Sequence, residues 1–253
     1  MEVKGSDLQR EITHFSYKYK NKIKLGSEKD GWLPKVIDEQ FNPKTGQDYL
    51  FVSDEFIKLP TIEKIPIYWG GGLTFLLTLF FTIVWIKVGD LFWFPALLYI
   101  FSICYTVFSI IAYFTLPPKE VIINRKDGLI TFPGWYWMDN VTMRFADIKF
   151  GYTSGGPNLI GGYMLQILRP DRFGTFELFT LGCGNCYEDL SFLTWYMDKN
   201  RPLPPGKPFD PFREKDFQRR KREKFPPPLY PASIPTPEAT PAQQKEREKF
   251  WRG

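Results

Sequence analysis

Residues 65–88 read IPIYWGGGLTFLLTLFFTIVWIKV and residues 91–116 read LFWFPALLYIFSICYTVFSIIAYFTL, with only Gly89 and Asp90 between them. Each run exceeds the ~20 apolar residues that a helix needs to cross a hydrocarbon layer at ~1.5 Å rise per residue. Lys87 is the only charge inside either run, and it lies at an end, where a long side chain can reach back to water. Tyr68 and Trp69 stand at one end of the first run and Trp85 at the other. Trp93 and Tyr113 bracket the second in the same way. Trp69 to Trp85 spans roughly 24 Å of helix and Trp93 to Tyr113 roughly 30 Å, close to bilayer thickness. Neither run carries the polar stripe of a soluble surface helix. The expectation is a membrane α-helical hairpin, helix one over 65–88 and helix two over 91–116, joined by a two-residue turn.

Neither run is expected to be a cleavable signal, because the first starts at residue 65. Lys58 and Lys64 precede the hairpin, and Lys119, Arg125 and Lys126 follow it. The turn offers only Lys87, offset by Asp90. Flanking positive charge stays on the cytoplasmic side, so both termini are expected there. Gly70, Gly71 and Gly72 favour close packing, against helix two or against a further helix.

The remaining chain divides into a cytoplasmic segment 1–64, a β module 117–200 and a tail 201–253. In residues 12–25 (ITHFSYKYKNKIKL), Phe15, Tyr17 and Tyr19 alternate with Lys18, Lys20, Lys22 and Lys24. Period two predicts a strand with one basic face, which is either solvated or laid on anionic headgroups. Tyr49 to Leu59 reads as an extended or helical lead-in. Pro117 and Pro118 stop helix two. Glu120 to Phe132 is a β-hairpin around Lys126-Asp127-Gly128. Val141 to Phe150 is a further strand, with a bulge at Ala146 and Asp147. Tyr163–Arg169 and Thr175–Leu181 form another hairpin, and Tyr187–Lys199 a helix packed on the sheet. About five strands followed by one helix make a small antiparallel α+β module. This order is similar to the pleckstrin-homology-like domains that bacteria attach to membrane hairpins.

The net charge of +5 resides in the tail, where residues 198–253 carry 14 basic and 8 acidic side chains. Pro211 to Phe225 predicts a short helix carrying Arg219, Arg220, Lys221 and Arg222, stopped by Pro226, Pro227 and Pro228. The basic run suits anionic lipid, a docking partner or plain solvent. With no recognisable nucleic-acid fold, it makes a poor case for DNA or RNA. Ala242 to Trp251 is expected to regain some helix.

The chain also resembles an uncharacterised family of bacterial two-helix membrane proteins often encoded beside type VI secretion genes. Ser53-Asp54-Glu55-Phe56 before helix one, Ile122-Ile123-Asn124-Arg125-Lys126 after helix two, and Tyr196-Met197-Asp198 carry the resemblance, which runs from about Tyr49 to Pro202. It implies residence in the bacterial inner membrane and a role around interbacterial toxin delivery or immunity. The family offers no catalytic residues to carry over.

Catalytic motifs are missing from the sequence. His14 is the only histidine, so neither H-E-x-x-H nor a Ser-His-Asp set can be assembled. No cofactor or metal is expected. Cys183 and Cys186 form a C-x-x-C, which reads as loop closure or, in a minority reading, as a redox pair; no βαβ surroundings accompany it. Trp135-Tyr136-Trp137 is either core packing or a surface for the bilayer interface or a partner. The function these features favour is that of a non-enzymatic membrane-anchored adaptor or immunity-type protein that binds a protein partner. An anionic-lipid sensor is the alternative and a redox protein the third reading. Two helices alone could enclose a substrate route only in a homo-oligomer.

Overall fold

The computed structural model describes residues 5–18, 51–61, 64–89, 92–154, 163–179, 181, 186–230, 232 and 234–252. The chain falls into two compact units. One comprises Met1–Pro60, Glu120–Pro133 and Asn140–Gly253; the other comprises Thr61–Lys119 and Gly134–Asp139.

The second unit is a helical hairpin of α1 (Lys64–Val88) and α2 (Trp93–Thr115). Both are long and apolar enough to cross a membrane, and most of their described side chains are exposed. The face they share is the polar one. Thr78 donates to Ser102 Oγ at 2.9 Å, Thr106 donates to Thr74 Oγ1 at 3.2 Å, and the hydroxyls of Thr82 and Tyr99 meet at 3.0 Å. Thr74 and Thr82 also donate to the carbonyl four residues back, while the buried Ser109 hydroxyl has no hydrogen-bond partner among the described residues. Gly71 is needed for the close approach, since a Cβ there would stand 2.7 Å from Ser109 Cβ. Gly72 faces open space. Packing against helix two therefore accounts for Gly71 and not for Gly72.

The first unit is α+β. Its larger sheet has five antiparallel strands in sequence order: β1 (Phe51–Val52), β2 (Phe56–Leu59), β3 (Val121–Asn124), β4 (Leu129–Phe132) and β5 (Val141–Arg144). The lead-in to helix one is thus a hairpin of the sheet. Ser53 Oγ, which accepts from the N–H groups of Glu55 and Phe56, closes it. β2 and β3 pair from Phe56↔Asn124 to Leu59↔Val121, with the whole helical hairpin between them in the chain. The β3–β4 turn uses Gly128 at φ +69°, a conformation only glycine adopts freely, and an Asn124 side chain that both accepts from and donates to Asp127.

The expected bulge at Ala146 and Asp147 is instead a 3-10 turn, Phe145–Asp147. It ends β5 and hands the chain to a second sheet. That sheet holds β6 (Phe150–Ser154), β7 (Tyr163–Leu168) and β8 (Phe176–Leu178), again antiparallel and in order. Helix α3 (Cys186–Met197) follows and is buried almost all round, as a helix covered on both sides must be. The tail supplies one cover. A 3-10 turn Lys207–Phe212 sets Phe209 against Phe192 and Tyr196, at ring separations of 6.0 and 5.6 Å. Helices α4 (Arg213–Arg222) and α5 (Pro241–Arg252) complete the unit. Glu214 meets Gln243, Lys221 meets Glu246, and Phe225 meets Phe250, so α4 and α5 run parallel with their C-terminal ends together.

The strand expected over residues 12–25 is absent from its described part. Residues 11–18 are irregular, and residues 19–25, with Lys20, Lys22 and Lys24, lie outside the described residues. The N–H groups of Thr13 and His14 both point at the Thr142 carbonyl, so no ladder develops. Phe15 is 68% exposed, and Tyr17 alone of the alternating aromatics among the described residues enters the unit, bonded to the Leu168 carbonyl and the Lys149 N–H. Burial raises its phenol to a pKa of about 12.

Candidate functional site

The centre of the first unit's polar architecture is Arg125, at the end of β3. Its side chain is 2% exposed. One terminal nitrogen donates to Asp216 Oδ1 at 2.6 Å and to the Asp54 carbonyl at 3.4 Å. The other donates to the carbonyls of Arg201 at 2.6 Å and Asp198 at 3.3 Å. The guanidinium carbon lies 5.8 Å from the centre of the Tyr196 ring, and the Tyr196 hydroxyl donates to the Ser53 carbonyl at 3.0 Å. The Arg125 backbone N–H donates to the Glu55 carbonyl at 2.8 Å. Residues 53–56, 122–126 and 196–198, far apart in the chain, therefore converge on one buried cation.

From Asp216 the network continues into the tail. Asp216 accepts from Arg219 and Arg220, each at 2.9 Å. Arg220 forks onto both oxygens of Glu238 at 2.7 Å, and Arg247 joins Glu238 at 2.9 Å. A second knot forms at Asp198, whose carboxylate accepts from Arg201 Nε, from Asn200 N–H, and from the N–H groups of Leu229 and Tyr230. Burial alone would raise the Asp216 carboxyl, but Arg125, Arg220 and Arg219 outweigh it and hold it below the usual carboxylate range. Burial would likewise weaken the Arg220 charge, and Glu238 and Asp216 reverse that. Buried ions endure only when matched in this way. The arrangement binds the tail to the module. Each of its carboxylates is committed to arginines, so none is placed as a free acid or base.

Arg220 thus leaves the set of surface cations: it is 1% exposed and held between Asp216 and Glu238, themselves buried. Arg219 is divided between Asp216, Glu223 and the Lys199 carbonyl, and Lys221 pairs with Glu246. Arg222 is exposed, as is Lys18. Cys186 is buried in the core at the start of α3, while Cys183 lies outside the described residues. No group of three His, Cys, Asp or Glu side chains suited to a metal occurs among the described residues.

Trp135, Tyr136 and Trp137 belong to the helical unit and not to the core of the sheets. Trp137 Nε1 donates to Thr115 Oγ1 at 2.8 Å, and its ring meets Phe108 edge-on at 5.8 Å. Lys119 Nζ closes the turn by donating to the carbonyls of Gly134 at 2.7 Å and Met138 at 2.5 Å. A Cβ on Gly134 would collide with the Asp139 carbonyl at 2.1 Å. All four side chains from Trp135 to Met138 remain nearly half exposed. The cluster is an aromatic shelf beside the end of α2.

Sequence reasoning missed Asp216, Glu238, Arg201 and the role of Arg125. The signal for Asp216 and Arg220 was their i,i+4 spacing around Phe217 in a helix that otherwise reads as charged. Compared with protein-family models, with curated proteins and with solved structures, the chain has no match.

Proposed function

We propose that the chain is a two-pass protein of the bacterial inner membrane, with both ends cytoplasmic, that works without catalysis as an anchored adaptor. Its partner on this reading is a protein, in the setting of interbacterial toxin delivery or immunity. The observation that carries the proposal is the pairing of β2 with β3 around an exposed apolar hairpin. The chain leaves the sheet after Leu59 and rejoins it at Val121, so both ends of the hairpin serve one module. Exposed apolar faces of this length are costly in water and favourable in lipid. The Trp135–Met138 shelf beside α2 suits the bilayer interface, where aromatic rings with a polar edge collect. Two antiparallel sheets closed by α3 support the pleckstrin-homology-like reading, and the clasped tail extends that module into one larger platform. The convergence of residues 53–56, 122–126 and 196–198 on Arg125 supports reading them as one structural signature.

Single cysteines at Lys18, Gly89 and Asp210, in a background without native cysteines, test the topology. Inverted vesicles should expose Lys18→Cys and Asp210→Cys to an impermeant maleimide, and intact spheroplasts should expose only Gly89→Cys. Labelling of Lys18→Cys and Asp210→Cys from opposite faces would defeat the proposal, as would recovery of the chain from cytosol without detergent. Co-purification from detergent then tests the adaptor role, with Arg125→Ala expected to weaken capture of a partner that binds the platform.

A further inference from the structure

The parallel pairing of α4 and α5 brings two helix C-termini to one end of the first unit. Cations favour such ends because the helix dipole is negative there. Arg222 and Lys224 lie at the end of α4, and Lys249 at that of α5; all three are exposed. Lys245 lies one turn before Lys249 on the same face of α5, where the dipole effect has faded. The side chains of these four have no ion-pair or hydrogen-bond partner among the described residues, whereas Arg219, Arg220, Lys221 and Arg247 of the same two helices are paired. The same end carries two open rings, Phe250 at 46% and Trp251 at 54% exposed. They are held in place: Trp251 Nε1 donates to the Phe225 carbonyl at 3.1 Å, Arg247 lies 4.8 Å from the Trp251 ring, and Phe250 rests edge-on against Phe225 at 5.2 Å. Phe225 itself adopts φ +45° beside Lys224 at φ +61°, a double left-handed turn that ends α4 and seats its ring between Phe217 and Phe250.

We propose that this end of the α4–α5 pair is a contact for anionic phospholipid, made by Arg222, Lys224, Lys245 and Lys249 with Phe250 and Trp251 entering the headgroup layer. The proposal rests on the membrane reading above and adds the lipid class and the residues. Charge complementarity selects the occupant, and size selects between lipid and protein. Two half-exposed rings offer roughly 200 Å² of apolar area, well short of the roughly 800 Å² per partner of a stable protein interface. A headgroup layer requires no shaped pocket, only cations and rings at one level. Tethering by the hairpin would keep such headgroups at high local concentration.

The full chain is reconstituted in nanodiscs of phosphatidylcholine, alone or mixed with phosphatidylglycerol, with brominated acyl chains as fluorescence quenchers. The quenching lost on Trp251→Phe isolates the signal of that ring. It should be at least about threefold larger in the anionic discs, fall with added salt, and vanish in a Lys245→Glu/Lys249→Glu variant that retains Trp251. Equal quenching in both lipids, or none, overturns the lipid contact while leaving the membrane reading intact. Failure of the chain to co-elute with discs overturns both. A Trp251 signal that responds to a poly-glutamate peptide and not to lipid composition reassigns the patch to an acidic protein and also overturns the proposal.

Discussion

Arg125 and Asp216 meet at 2.6 Å with both side chains at most 2% exposed, although they are 91 residues apart in the chain. This one pair joins the end of β3 to α4. Removing Asp216 leaves Arg125 without a carboxylate in a site that water does not reach, and removing Arg125 strips the buried carbonyls of Asp54, Asp198 and Arg201 of their donor and Asp216 of its closest cation. Arg125→Ala or Asp216→Ala should therefore destabilise the first unit by about 3–5 kcal/mol. Chemical denaturation followed by tryptophan emission measures it. Arg125→Met combined with Asp216→Leu should recover most of the loss, because the double variant buries no lone charge.

The same pair sets an acid limit. The Asp216 carboxyl lies below its usual range in the folded state. Folding then binds fewer protons than unfolding, so its contribution is fully present above the unfolded carboxylate pKa of about 3.9 and disappears as pH falls through the lower folded value. Glu120, held down by Arg10 and Lys58 against the opposing effect of burial, acts with the same sign. Tryptophan emission should stay flat from neutral pH to about pH 5, and the unfolded signal should rise steeply below about pH 4. Asp216→Asn should flatten that rise.

At alkaline pH the sign reverses. Tyr17, Tyr152 and Tyr230 are each pushed up to about 12, chiefly by burial. Their folded states hold the proton longer than the unfolded chain, so stability is intact below about pH 10 and is lost as pH climbs toward about 12. Ultraviolet titration should show tyrosines ionising late and together with unfolding. Tyr17→Phe removes one of them and two hydrogen bonds, at a cost of about 1 kcal/mol.

Gly71 and Gly72 are neighbours with opposite tolerance. Gly71→Ala places a methyl 2.7 Å from Ser109 Cβ and must part α1 from α2, at about 1–3 kcal/mol. Gly72→Ala meets nothing within 4 Å and should be neutral or stabilising by up to about 1 kcal/mol. Thermal unfolding in detergent should rank the two variants in that order.

The helical hairpin and the β3–β4 and β7–β8 hairpins were legible because they are local. An unbroken apolar run, or a β-turn glycine between two apolar stretches, announces itself within twenty residues. The tail was not legible. The run Arg219 to Lys224 resembles a solvated face until Arg220 is seen to be held between Asp216 and Glu238, and the partner that draws Asp216 inward is Arg125 in another part of the chain. Alternation misled at residues 12–18, because period two requires a ladder to become a strand. There a single carbonyl, that of Thr142, receives both available N–H groups. Of the candidate site, the sequence exposed Trp135 to Trp137 as aromatic and the tail as basic. Which of those cations are consumed inside depends on contacts that no local pattern carries.

Strand β2 leaves the ribosome before α1, and its neighbour β3 only after α2 has followed. The sheet is therefore unfinished for as long as the helices are still being synthesised, and β4, β5 and the tail have no edge on which to assemble until then. Completion of the module reports that the hairpin has been made in full. A chain stalled or truncated within the helices would present the β3-facing edge of β2 unpaired, a ready substrate for proteolytic clearance.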